Sequence, residues 1–337
     1  MHMADALLSP EVGATMWAAS AGCITYSANR LKKEMDDRQV PLMGVLAAFV
    51  FAAQMINFTI PGTGSSGHLG GGLLLAILLG PHAALITLAS VLTVQALFFA
   101  DGGLLALGAN IFNLGVLPCF IAYPLFYKHI VTGRPTRSRM IYGSLVAAVI
   151  GLQFGAFGVV LETTLSSITA LPFLSFFLLM QPIHFGISIV EGLATAGIVT
   201  VLWQAQPEIL ARQQEHNHSS RRPLRKLLAG LLVAAIVIGG LFSWYASEHP
   251  DGLEWSIARL TGSEELAKPA TPIHGTLEKL QENLSFMPDY SPRHVARDAA
   301  AGSVAANTSA AGLLGGLLTL VASFLIGFTL KRRRTGP

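Results

Sequence analysis

Apolar stretches long enough to cross a bilayer recur along this chain and constrain its fold more than any other feature. A hydrocarbon core of about 30 Å requires about 20 predominantly apolar residues in a helix. The 337 residues are 52% hydrophobic and only 12% charged, a balance typical of multi-pass membrane proteins. The sequence therefore predicts an all-α polytopic membrane protein.

The positions of the basic residues predict how the chain is oriented in the membrane. Seventeen of the 22 Lys and Arg residues lie in four clusters, at 30–38, 128–139, 212–226 and 331–334. The positive-inside rule places such clusters in the cytoplasm. The amino terminus and the glycine-rich stretch 61–72 are then expected outside, and the carboxyl terminus inside. No cationic stretch precedes the first apolar run, so we expect no cleaved signal peptide.

This orientation divides the chain into two modules. Seven helices are expected in residues 1–205, and the third, at about 70–80, is too short for a full span and must be buried in protein. A cytoplasmic linker at 206–225 leads to a second module at 226–337. There, two transmembrane helices flank an outer segment at 247–310.

Two finer expectations concern the ends of elements. The second helix is expected at about 41–60, and short helices are expected near 253–262 and 275–285. The histidines of the outer segment, including His274, are expected to be ordinary solvated residues.

The orientation brings the amino terminus and His68 to the same side, which suggests a metal site. The Met1 amine, the amide nitrogen of His2 and the His2 Nδ1 can close adjacent five- and six-membered chelate rings, and the His68 imidazole can supply a fourth donor. Four nitrogens in a square suit Ni(II) or Cu(II), whereas Co(II) often prefers more ligands. Each histidine taken alone is also consistent with a structural role.

Several motifs resemble the NikM/CbiM family, the substrate-binding components of energy-coupling-factor transporters for nickel and cobalt. The motifs are MHM at the start, NFTIPGTGSSGHLGGG at 57–72, VQALFFADGGLLALGANIFNLG at 94–115 and PIHFGISIVEGLAT at 182–195. Residues 226–337 resemble the small N component, with HPDGLEWSI at 249–257 matching its PDGLE signature.

The resemblance implies a seven-helix substrate-binding component fused to an N-like module, in a bacterial cytoplasmic membrane. It implies a square-planar site for transported Ni(II), made of Met1, His2 and His68, and no organic cofactor. It also implies a transmembrane coupling subunit and two cytoplasmic ATPase subunits as partners. The sequence departs from the family pattern just after the opening dipeptide, at Met3, Ala4, Asp5 and Ala6, so the path of this segment stays open.

A ligating imidazole usually has its second nitrogen tied to an acceptor, so nearby polar residues are candidate supports for the ligands. The alternative for each is a hydrogen bond between helices or a turn cap. The candidates are Asn57, Ser65, Ser66, Gln95, Asp101, Asn110 and Asn113.

Three ionisable residues, Glu162, His184 and Glu191, lie in or near apolar helices, where such groups are costly to bury. Two roles are open for them: contact with a transmembrane partner, or pairing within the bundle.

Other function classes are less favoured. The sequence contains no GxxxxGK[ST] loop for ATP hydrolysis and no HExxH motif of a metalloprotease, so an enzyme is not expected. An ion-coupled carrier would favour internal repeats and acids at the membrane midplane. A cobalt importer of the same type stays an alternative.

Overall fold

A computed structural model describes residues 2–35, 38–133, 135–205, 224–264, 266–267, 269, 271–292 and 301–332. Met1, the first predicted ligand, lies outside the described residues, and so does most of the predicted linker.

The described chain is built from helices, as the sequence predicts. They are α1 (Pro10–Glu34), α2 (Gln39–Gln54), α3 (Gly72–Leu79), α4 (Pro81–Val94, continued by a π-helical turn at Gln95–Phe99), α5 (Leu107–Val131), α6 (Arg137–Ser166), α7 (Phe173–Ala205), α8 (Arg225–Gly240), α9 (Gly252–Thr261), α10 (Pro272–Leu284) and α11 (Ala301–Arg332). The expected short helices of the second module are present as α9 and α10.

Five of the described helices are long and apolar enough to cross a membrane. They are Pro81–Phe99, Leu107–Val131, Arg137–Ser166, Phe173–Ala205 and Ala306–Lys331. The shorter helix α2 is also apolar. These helices confirm a polytopic all-α membrane protein. All eight residues of α3 are buried, as expected for a helix too short to span the bilayer.

The second helix ends earlier than the sequence suggested, because a hairpin replaces its last turn. α2 stops at Gln54, and β1 (Phe58–Ile60) pairs antiparallel with β2 (Ser65–Gly67). Gly62 and Gly64, in the turn between the strands, have φ of 78° and 77°, values that glycine adopts without steric cost. β2 leads directly to His68.

The second module packs on the first along α2. Both α8 and α11 lie against this helix, and α11 also contacts α4. Close approach depends on small residues: a Cβ on Gly315 would lie 1.9 Å from the Phe51 ring. The described residues within 241–292, which we call the cap, lie between α8 and α11 in the chain and contact the hairpin and the π-helical end of α4.

Candidate metal site

The amino-terminal segment is fixed by an asparagine on α5. The amide N–H of Met3 donates to Asn110 Oδ1 at 2.8 Å, and Asn110 Nδ2 donates to the Met3 carbonyl at 3.2 Å. Gly103 N–H donates to the same carbonyl at 2.9 Å. Met3 itself is fully buried. These bonds set the position of the neighbouring residue, His2.

The next residues of the segment are held from both sides. Asp5 Oδ1 accepts the Ala106 N–H at 2.9 Å, and burial raises the pKa of the Asp5 carboxyl. On the cap side, His274 Nε2 lies 3.1 Å from the Asp5 carbonyl oxygen and 3.0 Å from that of Leu8. Ser9 then caps α1, whose first residue is Pro10, a favourable first helical residue.

His2 and His68 meet face to face. Their ring centroids are 5.0 Å apart and their planes differ by only 8°. His2 Nδ1 lies 3.1 Å from Asp101 Oδ1, while His2 Nε2 is buried and has no hydrogen-bond partner among the described residues. The structure thus brings together the two predicted imidazoles, which are 66 positions apart in sequence.

The protonation of His68 suits a metal ligand. Burial lowers the pKa of His68 to about 3, so the imidazole is neutral near pH 7. Its Nδ1 lies 3.1 Å from the Leu69 carbonyl oxygen. Since only a protonated nitrogen can donate to a carbonyl, Nδ1 carries the proton and Nε2 carries the lone pair.

The loop after His68 is anchored by a carboxylate on α7. Glu191 accepts the N–H groups of Gly70 and Gly71 at 2.9 and 3.2 Å, and Gln54 Nε2 donates to the Gly70 carbonyl at 3.0 Å. These two hydrogen bonds to backbone N–H groups offset part of the cost of burying the Glu191 carboxyl group.

A chain of hydrogen bonds runs from this loop to His2 through the cap. Gln95 Nε2 donates to Gln54 Oε1 at 3.0 Å and approaches the Tyr290 hydroxyl at 3.5 Å. The Tyr290 hydroxyl donates to Asp101 Oδ2 at 2.5 Å, and Asp101 faces His2. Burial alone would raise the pKa of Asp101, but the His2 imidazole and the Tyr290 hydroxyl hold it below its usual range.

The cap binds the hairpin like an added strand. Ser66 N–H donates to the Pro250 carbonyl at 2.8 Å, and Ser66 Oγ donates to the His249 carbonyl at 2.7 Å. Trp255 Nε1 donates to the Thr63 carbonyl at 3.0 Å. The PDGLE residues 250–254 therefore lie directly against the loop that carries His68.

The next cap residues start α9 with reciprocal bonds. Asp251 accepts the N–H groups of Leu253 and Glu254, and Glu254 accepts the N–H of Asp251, which is a complete capping box. This explains why an acidic residue stands at each of these two positions of the motif.

The predicted support residues divide by what they touch. Asp101 contacts His2, and Asn110 clamps Met3. Gln95 lies further along the same hydrogen-bond chain. Three others face the cap: Asn57 accepts the Ser247 N–H through its carbonyl at 2.7 Å, Ser65 lies 3.5 Å from the Pro250 carbonyl, and Ser66 binds as described.

Of the three ionisable residues in apolar helices, two bond to other segments of the chain. Asn113 Nδ2 donates to Glu162 at 2.9 Å, and Glu191 holds the His68 loop. His184 bonds only within its own helix, to the Met180 carbonyl, as far as the described residues show, and all three side chains are buried. Pairing within the bundle is the reading that fits Glu162 and Glu191.

Three cap residues were not predicted from the sequence. His274 was expected to be solvated, but it is only 4% exposed and binds the amino-terminal segment. Gln281 Nε2 donates to the carbonyls of Ala96 and Gly102 at 2.9 and 2.8 Å. Tyr290 orients Asp101. One signal was present: His274 opens a strongly amphipathic helix, whose apolar face needs a partner.

The donors that the described side chains provide are few. No group of three or more His, Cys, Asp or Glu side chains in the described ranges is placed to hold one metal ion. The predicted set of four nitrogens takes only two donors from side chains, those of His2 and His68. The predicted chelate also needs His2 Nδ1, which faces Asp101 in this structure, so ligation by Nδ1 requires the ring to turn about its Cβ–Cγ bond.

Comparison with known proteins finds similarity in both modules. The family described as the cobalt uptake substrate-specific transmembrane region (CbiM) matches residues 2–209, and the PDGLE domain matches residues 225–332. A fused nickel transport protein NikMN from Rhodobacter capsulatus is 30% identical over 320 residues, covering 88% of this chain and 90% of that protein. A cobalt transport protein CbiM from Geobacter sulfurreducens is 28% identical and covers 82% of each chain.

A solved structure agrees with these matches. The crystal structure of a truncated transition metal transporter has a TM-score of 0.55 and 32% identity, and the alignment covers 61% of this chain and 99% of that one. Because the CbiM profile covers more than half of the chain and the NikMN relative aligns along both modules, this chain belongs to the CbiM family of transmembrane metal-uptake components and carries a PDGLE domain at its carboxyl-terminal end.

Proposed function

We propose that this protein captures Ni(II) from outside the cell in a square of four nitrogens and passes it inward. The donors are the Met1 amine, the His2 amide nitrogen, the His2 Nδ1 and the His68 imidazole. The metal is the cargo of the protein.

The stacked pair of imidazoles, His2 and His68, is the observation that carries this proposal. Neutral imidazoles are good ligands for late first-row metals, and a planar set of four nitrogens suits d⁸ Ni(II). His68 is neutral, and its Nδ1–H is tied to a carbonyl, as is usual for metal-ligating histidines. The scarcity of further ligating side chains among the described residues favours donors from the backbone.

The transport step is proposed to depend on ATP hydrolysis by partner subunits. The sequence has no P-loop, and the relatives are named as transport proteins. A transmembrane coupling subunit and two cytoplasmic ATPase subunits would supply the energy in a bacterial cytoplasmic membrane. The amino terminus would lie outside and the carboxyl terminus inside, as the basic clusters predict.

One added residue at the amino terminus tests the proposed donors. The extension turns the Met1 amine into an amide and leaves both imidazoles and the bundle unchanged. We expect the extended protein to insert in the membrane but to lose stoichiometric Ni(II) binding and the absorption spectrum of planar nickel. A protein extended at its carboxyl terminus is the matched control. Native binding by a protein confirmed to retain its amino-terminal extension would contradict the proposal.

Cobalt is the second candidate cargo, because a CbiM relative named as a cobalt transport protein aligns over most of this chain. Competition between the two ions during uptake separates the candidates. We expect excess Ni(II) to suppress Co(II) uptake more strongly than the reverse. Stronger suppression of Ni(II) uptake by Co(II) would assign the protein to cobalt.

A further inference from the structure

His184 on α7 has the features of an unused metal ligand. It is fully buried, and its Nδ1 lies 2.8 Å from the Met180 carbonyl oxygen, one turn earlier in the helix. The proton is therefore on Nδ1, and Nε2 carries the lone pair. Nε2 is buried and has no hydrogen-bond partner in the part of the chain that the structure describes.

This imidazole shares a small cavity with His68. The walls of the cavity are otherwise glycine backbone and aliphatic side chains, from Gly67, Gly70, Leu114, Leu152, Ile187 and Gly252. A Cβ on Gly252 would lie 3.0 Å from His184 Cε1, so the free edge of the ring lies just beneath the PDGLE motif. Among the described residues that line this cavity, the two imidazoles are the only ligating side chains.

We propose that His184 is a transit ligand, which receives the metal when it leaves the His2–His68 site for the interior of the bundle. The inference rests on the proposed function. A neutral imidazole with its Nδ1–H tied to a carbonyl is prepared to bind a divalent metal through Nε2. An unpaired buried nitrogen is costly, and intramembrane ionisable residues are commonly functional.

The geometry favours transfer over simultaneous binding. In the described residues His2, His68 and His184 are not gathered into one cage for a single ion. His68 is common to both places, because it stacks on His2 and also lines the cavity with His184. The metal would exchange its His2 donors for His184 while His68 stays bound.

Removal of the ligand tests the transfer in the full chain assembled with its partner subunits. For His184→Ala we expect the affinity for Ni(II) at the His2–His68 site to stay within about threefold of wild type. We expect Ni(II) uptake to fall about 10-fold or more, the size of loss that follows when a residue beside a metal site is removed. Ser188→Ala is the matched control, because Ser188 is equally buried one turn further on and, among the described residues, its hydroxyl bonds the Phe185 carbonyl alone. Wild-type uptake by His184→Ala would overturn the proposal. Loss of Ni(II) binding at the His2–His68 site in that variant would also overturn the proposal, because it would show that His184 supports the structure of that site.

A thiolate tests ligation directly, even if removal of His184 disturbs packing. With Cys23 and Cys119 replaced by alanine, His184→Cys should bind Ni(II) with a sulfur-to-metal charge-transfer band. Phe185→Cys, at a side chain that is 49% exposed on the outside of the bundle, should give no such band. Absence of the band in a folded His184→Cys protein would refute ligation at this position. Failure of wild type to bind Ni(II) at the first site would instead reject the proposed function.

Discussion

Asp101 stands between two side chains that come from opposite ends of the chain. His2 approaches one of its carboxylate oxygens and Tyr290 donates to the other. The Tyr290 ring is stacked on Phe99 at 5.0 Å, which fixes the hydroxyl in place. Because Asp101 holds the His2 nitrogen that the proposed chelate needs, metal binding would have to replace one favourable contact with another.

Asn110 gives the clearest test of support at the scale of one residue. In Asn110→Ala, Met3 loses both bonds to the asparagine side chain, so the segment that carries His2 is less well positioned. We expect the affinity for Ni(II) to fall about 10- to 100-fold, measured by chelator competition. Asn113→Ala, which removes a bond to Glu162 instead, is the control. Equal losses in both variants would mean that Asn110 has only a general structural role.

The proposed donors also predict proton release. The His2 amide must lose its proton, and the Met1 α-amine, whose ordinary pKa is about 8, is mostly protonated at pH 7. His68, with a pKa of about 3, contributes almost nothing. Titration calorimetry at pH 7, in buffers of different ionisation enthalpy, should therefore show release of about two protons per Ni(II). The affinity for Ni(II) should weaken as pH falls from 8 to 5, because protons then compete more strongly with the metal for the amine and the amide nitrogen. Binding without proton release would exclude the backbone donors.

At the scale of elements, the cap and the hairpin form one unit around His68. The Pro250 carbonyl of the cap accepts the Ser66 N–H, and the PDGLE capping box starts α9. Gly252 lies in close contact with α7, where a Cβ would have little space. A side chain at this glycine would lie 2.6 Å from Ile183 Cγ2. The close contact between α9 and α7 therefore depends on the third residue of the PDGLE motif.

Gly252→Ala should lift the cap from the hairpin. We expect faster amide hydrogen exchange at Ser66, because its N–H donates to Pro250 in the intact cap. Gly275→Ala is the control, because a Cβ there meets nothing within 4 Å and alanine favours a helix. Unchanged exchange at Ser66 in Gly252→Ala would show that the cap adapts to the added methyl group.

The sequence predicts the helices better than it predicts the contacts of the cap. Long apolar runs and basic clusters were sufficient for most helices, including the buried α3, because the bilayer leaves the backbone few alternatives. The end of α2 was missed because a short hairpin carries little periodic signal, and its strands are also stabilised by the cap. His274 and Tyr290 were missed because their partners, Asp5, Leu8 and Asp101, lie between 189 and 269 positions away. Spacing along the chain does not reveal such pairs.

At the scale of the whole molecule, the two modules share one framework. α8 and α11 of the second module pack on α2 of the first. The cap of the second module also contacts the hairpin that leads to His68. A short hydrogen bond between Ser90 on α4 and Ser323 on α11 adds a polar contact within this interface.

The orientation of the whole molecule can be tested by cysteine labelling in intact cells. In a protein without Cys23 and Cys119, Ser263→Cys in the cap should react with an impermeant reagent added outside. Ser138→Cys, between the basic residues at the start of α6, should be protected until the cells are broken. Both positions are exposed in the structure, so protection would reflect the membrane. Labelling of position 138 in intact cells would contradict the orientation that places His2 and His68 outside.

The bond between His274 and the carbonyls of Asp5 and Leu8 has a consequence for biosynthesis. Asp5 and Leu8 are synthesised well before their partner in the cap, which follows about 270 residues later. At about 5–20 residues per second, this interval is on the order of tens of seconds. During that time the growing chain carries both His2 and His68 without the cap. The contacts that hold Asp5 and Leu8 are therefore completed only after about 270 further residues have been added, long after the histidines of the proposed site have been made.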